Sequence, residues 1–487
     1  MSEASRVENP YNEWINDNIS HKKAGDVWLA LTGYRDGQIK SHWLRANGRI
    51  DEVKTACMDA QFASLTPSLP EVAWDEREIH DLFGYHPKGH PDLRPLVRTP
   101  RWPASFYPMQ KQSDDHIEWT DVEPDNPAKV VEGEGITIMK VGPTHAGIIE
   151  SGHFVFSIIG ENILHLDAHL FQNHRGVEKA LESLSVQEAK PLISRICGAD
   201  TVSHQYNFLS AVEQLAGRKV PEMIEWQRII LLESERILSH LNDLAQIPAG
   251  VGFTVAHQRG LAMKEMWQKG LSAIFGHRFL FDAMYQEKLA VSKKEQLQQL
   301  LASFITQWHK WRKLADRQQG FHDRMRGVGV VKRDDAEQLG AVGVALRAAG
   351  VSVDVRTLMP LYRHNRIHIP QVTGGDVEAR FQVRLQEVEH SIALIRNALE
   401  HLQGNQQDTS WSIPDDLTGE AVSYSESPHG LNAHVMQIQN GVILRYHVKS
   451  GAYRNWPVLA FAVAGNAVAD FPLINKSFEL CYSCADR

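Results

Sequence analysis

The segment FELCYSCADR carries Cys481 and Cys484 with two residues between them, the spacing at which two thiolates can grip one metal ion. A tetrathiolate site needs a second pair of this kind. The one other candidate is RICGAD, where Cys197 is followed three positions on by Asp200. The candidate metal set is therefore Cys197, Asp200, Cys481 and Cys484, three soft sulfurs and one hard carboxylate, which prefer different ions. On the cysteines alone a plainer reading stands level with it: Cys197 and Asp200 are structural and the second pair is a redox-silent surface feature. Four cysteines in 487 residues are no disulfide framework, and all four are expected to be free thiols. Cys57, alone in TACMDAQF, reads as a small core residue. Glu233, Arg236 and His240 share one helix face and read as structural ion pairs.

These residues need elements to position them. Pro221 opens a long segment whose Trp226, Ile229, Ile230, Ile237, Leu241 and Leu244 recur at helical spacing, so a helix with one buried face is expected. Helical patterns also run through 256–275, 289–316, 334–348 and 376–403, the third capped at Asp334 or Asp335. GITIMKVGP, HFVFSIIG and ENILHLDA read as three strands, and the final seventy residues as short strands and loops before the cysteine pair. Near the other end, 26–45 read as two strands around Asp36-Gly37, Glu52 to Phe62 as a helix, and the proline-rich HPKGHPDLRPLVRTPRWP as an extended strap. An acidic, proline-bearing stretch marks a linker at 110–135. It separates an α+β domain, 1–109, from a mainly helical domain with peripheral short strands, 136–487.

Composition excludes several classes. With 43% hydrophobic and 23% charged residues the chain is that of an ordinary globular protein, and its length implies more than one domain. A net charge of -8 without a basic stripe argues against nucleic acid as a partner. The most apolar stretch, Trp456 to Ile474, is broken by Pro457, Gly465, Asn466, Asp470 and Pro472, so membrane contact must run through partners. MSEASRVENPYNEW carries no secretory pattern, and a cytoplasmic location is expected.

Longer motifs add a family. EREIHDLFGYHPKGHPDLR resembles the signature of the small hydrophilic subunit of respiratory complex I. GPTHAGIIESGHFVFSIIGENILHLDAHLFQNHRGVEK, RICGADTVSHQYNFLSAVEQLAG, ESERILSHL, FHDRMRGVGVV with DAEQLGAVG, GDVEARFQVR and ADFPLINKSFELCYSCADR resemble, in order, the large subunit of group 4 nickel–iron hydrogenases. The whole is similar to the hydrogenase-4 or formate hydrogenlyase large subunit, which fuses the two complex I-like modules. This implies a redox-site subunit with a nickel–iron centre, an iron–sulfur cluster in a partner small subunit, and antiporter-like membrane subunits, peripheral at the cytoplasmic face of the membrane.

The resemblance also assigns residues. Cys197 and Cys481 match terminal nickel ligands and Cys484 a sulfur bridging to iron, while Asp200 stands where the other bridge belongs. SESPHG puts His429 where the hydrogenases carry an arginine above the iron; histidine titrates near neutrality and is no permanent cation. Glu178 matches a residue that takes protons from the terminal thiolate, and Arg195 and His204 match the motif around the first pair. His145 lies in the hairpin that complex I places near its quinone headgroup, so quinone is the fallback ligand and a turn histidine the plainer reading. Arg487 lies three positions after Cys484, where related precursors are trimmed, which leaves a processed or an encoded terminus open. Three readings follow: a complex I-like redox subunit that no longer turns over hydrogen, a working hydrogenase, and a metal-free coupling subunit.

Overall fold

The computed structural model describes residues 10–99, 101–103, 105–110, 127–145, 150–286, 291–402 and 411–487, so most of the linker read at 110–135 lies outside the described residues. Two compact units divide the chain, residues 1–129 and 130–487.

In the first unit the near-continuous apolar run VWLALTG forms β1 (Val27–Gly33), which pairs antiparallel with β2 (Gln38–Leu44) across the Asp36-Gly37 turn. The segment read as a helix from Glu52 is instead β3 (Ile50–Ala56), paired with β2 from Leu44↔Ile50 to Gln38↔Ala56. Two causes act here. The β2 edge offers a full ladder of backbone partners, and the chain then turns through left-handed Asp59 and Ala60, at φ 51 and 56, which no helix tolerates. Cys57 sits half-buried at that turn, not in the core. The helices are α1 (Pro10–Lys23) and α2 (Ala73–Phe83). A short parallel pair joins β4 (Gln61–Ala63) to β5 (His86–Lys88). The proline-rich strap after β5 has no regular structure and is pinned by Asp81 of α2, which accepts the N–H groups of Leu96, Val97 and Arg98 at 2.7, 2.8 and 3.1 Å.

The second unit opens with the meander β6 (Ile136–Val141), β7 (His153–Ile159) and β8 (Asn162–His169). Helices α3 (Val177–Leu181), α4 (Val186–Ser194) and α5 (Thr201–Leu215) follow. The core is α6 (Glu222–Ala249), 28 residues long, packed against α5, α7 (Thr254–Phe275), α12 (Val377–His401) and α14 (Phe471–Phe478). Neighbours on every side bury it nearly all round, more than the single face its periodicity predicts, and bring Glu233, Glu235, Arg236, His240 and Asp243 inside. Between lie α8 (Val291–Asp316), α9 (Gln319–Met325), α10 (Arg333–Gln338) and α11 (Gly343–Ala348). The helix expected over 334–348 is thus two, the first starting at Arg333 without a side-chain cap. Left-handed Gly340 and Gly343, at φ 67 and 60, break it.

The last part is more regular than its sequence suggests. Strands β9 (Gly419–Ser427), β10 (Gly430–Gln439) and β11 (Val442–Lys449) form an antiparallel sheet. Helix α13 (Gly451–Val463) follows, carrying Pro457 inside, then α14 and α15 (Tyr482–Asp486). Among the described residues no helix is long and apolar enough to cross a membrane.

Candidate functional site

The two candidate turns are built alike and tied to each other. At the start of α5 the Asp200 N–H donates to Cys197 Sγ at 3.3 Å, and at the start of α15 the Cys484 N–H donates to Cys481 Sγ at the same distance. Arg175 holds both turns: its guanidinium donates to the carbonyls of Arg195, Ile196 and Ser483 at 3.0, 2.6 and 3.0 Å. Residues 287 positions apart, Cys197 and Cys484, thereby stand with Cα atoms 5.5 Å apart and their sulfurs joined as a disulfide. This corrects the expectation of four free thiols. Cys481 remains free and borders a cavity of about 380 Å³ together with His429, Asp243, Lys264, Tyr482 and Glu479.

Asp200 occupies the N-cap position of α5 without capping it. Glu235 of α6 does that work, its carboxylate accepting the N–H groups of Val202 and Ser203 at 2.5 and 3.1 Å and the Ser203 hydroxyl at 2.7 Å. Asp200 is left free to turn inward, where both its oxygens accept from His429 Nδ1, at 2.9 and 3.0 Å, fully buried. The other ring nitrogen of His429, Nε2, donates to the Glu479 carbonyl at 2.9 Å. Both ring nitrogens therefore face acceptors, which requires a doubly protonated imidazolium. Although burial opposes the charge, the Asp200 carboxylate pushes His429 up to about 9, and His429 in turn helps hold Asp200 below its ordinary range. The sequence expectation that His429 is no standing cation is corrected: its partner keeps it charged at neutral pH.

The backbone around His429 is locked from three sides. An added Cβ at Gly343 would lie 2.5 Å from Gly430 Cα, so the start of α11 can press against the turn only as glycine. Asn455 of α13 donates to the carbonyls of Val342 and His429, each at 3.1 Å. Arg236 of α6 donates to the Glu426 and Ser427 carbonyls at 2.6 and 3.2 Å.

Of the residues named from the resemblance, His204 joins this site. Its Nε2 is 3.8 Å from Cys484 Sγ, and its Nδ1 meets His434 Nε2 at 2.9 Å, whose Nδ1 meets the Tyr446 hydroxyl at 2.6 Å. Burial pushes His204 down to about 4, so it is a neutral imidazole. His434 and Tyr446 escaped the sequence reading; the alternation of strand β10 would place His434 in line with Asn432 and Met436, but every position from Gly430 to Met436 is buried on both faces. Arg195 does not join: it pairs with Asp282 at 3.1 Å and leans over the Phe281 ring at the surface. Glu178 is buried between Arg445 and Arg487, each at 2.7 Å, and His447 at 3.1 Å, which hold it well below the carboxylate range. These contacts favour its anionic form. His145 is spent on its own hairpin, its Nε2 lying 2.8 Å from the Gly152 carbonyl.

These residues do not fit a binuclear nickel–iron centre. Such a centre needs four thiolates, two of them bridging. Here Asp200 is consumed by His429, Cys197 and Cys484 are bonded to each other, and burial with nearby Glu150 and Asp200 pushes the Cys481 thiol up, away from thiolate. Only with that disulfide reduced to two thiols do Cys197, His204 and Cys484, whose donor atoms lie within 4.8 Å of one another, form a set sized for one soft ion.

Comparison with known proteins gives the family. The 49 Kd subunit of respiratory-chain NADH dehydrogenase matches over residues 251–416, and its 30 Kd subunit over 29–116. Formate hydrogenlyase subunit 5 of Escherichia coli is 31% identical over 472 residues, covering 91% of this chain and 79% of that one. Hydrogenase-4 component G of the same organism is 30% identical over 451 residues, covering 89% and 78%. Among solved structures, a chain of the membrane-bound sulfane sulfur reductase, an archaeal respiratory membrane complex, shares the fold with a TM-score of 0.67 at 23% identity, over 73% of this chain and 99% of that chain. The chain belongs to the family of formate hydrogenlyase and hydrogenase-4 large subunits, in which modules like the 30 and 49 Kd subunits of NADH dehydrogenase follow one another in one polypeptide.

Proposed function

We propose that this chain is the redox-site large subunit of a membrane-bound, complex I-like, energy-converting assembly that does not turn over hydrogen. The observation that carries the reading is the Asp200–His429 ion pair. The two positions at which the chain departs from the hydrogenases hold opposite charges in direct contact, so together they fill with a salt bridge the space where a bridging sulfur and a charged lid belong. Removing one partner of such a desolvated pair would leave an uncompensated buried charge, and with Asp200 a metal here lacks its fourth sulfur.

The partners are an iron–sulfur small subunit and antiporter-like membrane subunits, with this chain peripheral at the cytoplasmic face and proton translocation as the coupled work. Four cysteines are too few for an electron wire within the chain. Quinone is disfavoured at His145, whose ring is engaged by Gly152. The chain's own residues then do three things. Arg175 holds the two cysteine turns together, His429 fixes Asp200 as an anion, and His204 presents a neutral nitrogen to Cys484. The purified complex should neither evolve nor take up hydrogen under reducing conditions and should lack stoichiometric nickel; sustained hydrogen turnover would end this reading in favour of a working hydrogenase.

A further inference from the structure

Beside the cavity, α6 and α12 bury a cluster of charges that the sulfur site does not use. Among the described residues, three guanidiniums, from Arg236, Arg347 and Arg356, face four carboxylates, from Glu233, Asp354, Glu387 and Glu426, all nearly or fully buried. The contacts are continuous: Glu426 to Arg347 at 2.7 Å, Arg347 to Glu387 at 2.8 Å, and Arg356 to Glu233 and Asp354 at 3.2 and 2.6 Å. Asp243 and Arg384 form a further balanced pair at 2.7 Å. Away from water each of these charges depends on its partners.

His240 of α6 stands between this cluster and the Asp243–Arg384 pair. Its Nε2 meets Glu387 at 2.8 Å. Its Nδ1 is buried without a hydrogen-bond partner and looks toward Asp243 Oδ2 at 4.0 Å, a bare nitrogen opposite a carboxylate with room for one N–H between them. Asp243 in turn lines the cavity that Cys481 and His429 border, so a proton from cavity water reaches Nδ1 through a single carboxylate.

We propose that His240 is a proton-loading site, filled from the cavity through Asp243 when negative charge arrives there and emptied when it leaves. Loading transfers one proton: an O–H bond of a hydronium ion in the cavity breaks, leaving water, Asp243 takes the proton and passes it on, and an N–H bond forms at Nδ1; no electrons move on the ring. The seat is empty at rest because burial and Arg384 outweigh Glu387 and Asp243 and hold His240 below its ordinary value. At the far end burial lifts Glu426, against the pull of Arg347 and Arg236 and with help from Asp354. His390, which also faces Arg356, is pushed down to about 4 and stays neutral. The inference is independent of what the sulfur site binds.

Histidine C2–H exchange, followed by mass spectrometry against pH on the full chain, reads the protonation of each ring separately. Lys264 borders the cavity and interacts with Asp243, so Lys264→Glu adds negative charge where the proposal needs it. The midpoint of His240 should then rise by about one pH unit or more, as expected for a charge within reach of a titrating group, and adding Asp243→Asn should abolish that rise. In the assembled wild-type complex, which needs no variant to fold, reduction with dithionite should raise the same midpoint. A His240 profile indifferent to both Lys264→Glu and reduction overturns the proposal, whatever hydrogen turnover or metal content shows.

Discussion

Replacing Asp200 by Asn removes one charge from a buried pair and leaves its shape. Burial and Asp200 together set His429 at about 9 against an ordinary value near 6.5, and a rise of about 2.5 pH units corresponds to ~3 kcal/mol of interaction favouring the imidazolium. A raised histidine stabilises the fold fully below its unfolded value and loses that contribution as pH climbs through its folded value. The lowered carboxylate of Asp200 contributes above its own unfolded value and loses it in acid. The pair is therefore worth most between about pH 4 and 6.5 and fades toward pH 9. For a unit of roughly 360 residues, ~3 kcal/mol corresponds to a fall in Tm of ~4 °C. Thermal melts of wild type and Asp200→Asn, followed by circular dichroism from pH 5.5 to 9.5, should differ by this amount at the acid end and converge at the alkaline end. An equal difference at both ends would mean that Asp200 acts by packing alone, and no difference would mean that His429 is neutral.

Three further outcomes follow. Asp200→Cys alone should bring no hydrogen turnover in a gas-phase assay, because it removes the carboxylate that keeps His429 charged while the arginine is still missing. Gly343→Ala should lower stability by roughly 1–3 kcal/mol in chemical denaturation, since the residue holds a left-handed conformation and its Cβ would strike Gly430. Glu178→Gln should cost about 3–5 kcal/mol, as it removes a buried carboxylate that Arg445 and Arg487 both contact; a change near zero would show that other groups carry the charge balance there.

The long helices α6, α7, α8 and α12 were legible because apolar residues recur every three to four positions over many turns, a signal that local exceptions do not erase. Shorter elements depended on partners the sequence does not display. Ile50–Ala56 became a strand because β2 supplied a ladder, and Gly451–Val463 became a helix despite Pro457 because the core packs around it. The glycine at 343 answers to an approach from Gly430, nearly ninety positions away. At the site, each of Asp200 and His429 was visible as a departure from the family, but their contact spans 229 positions. The one available clue was that the two departures carry opposite charge. His240 and Asp243 were hidden inside a helix whose charged residues looked like ordinary ion pairs, and only the packed structure shows the His240 Nδ1 without a hydrogen-bond partner opposite Asp243.

Infrared spectroscopy of the purified complex in the cyanide and carbon monoxide stretching region tests the central claim most directly. With Asp200 bound to His429 in place of a bridging thiolate, no such bands should be present in either the reduced or the oxidised state. Sharp bands there, arising with stoichiometric nickel, would establish the binuclear centre and contradict it.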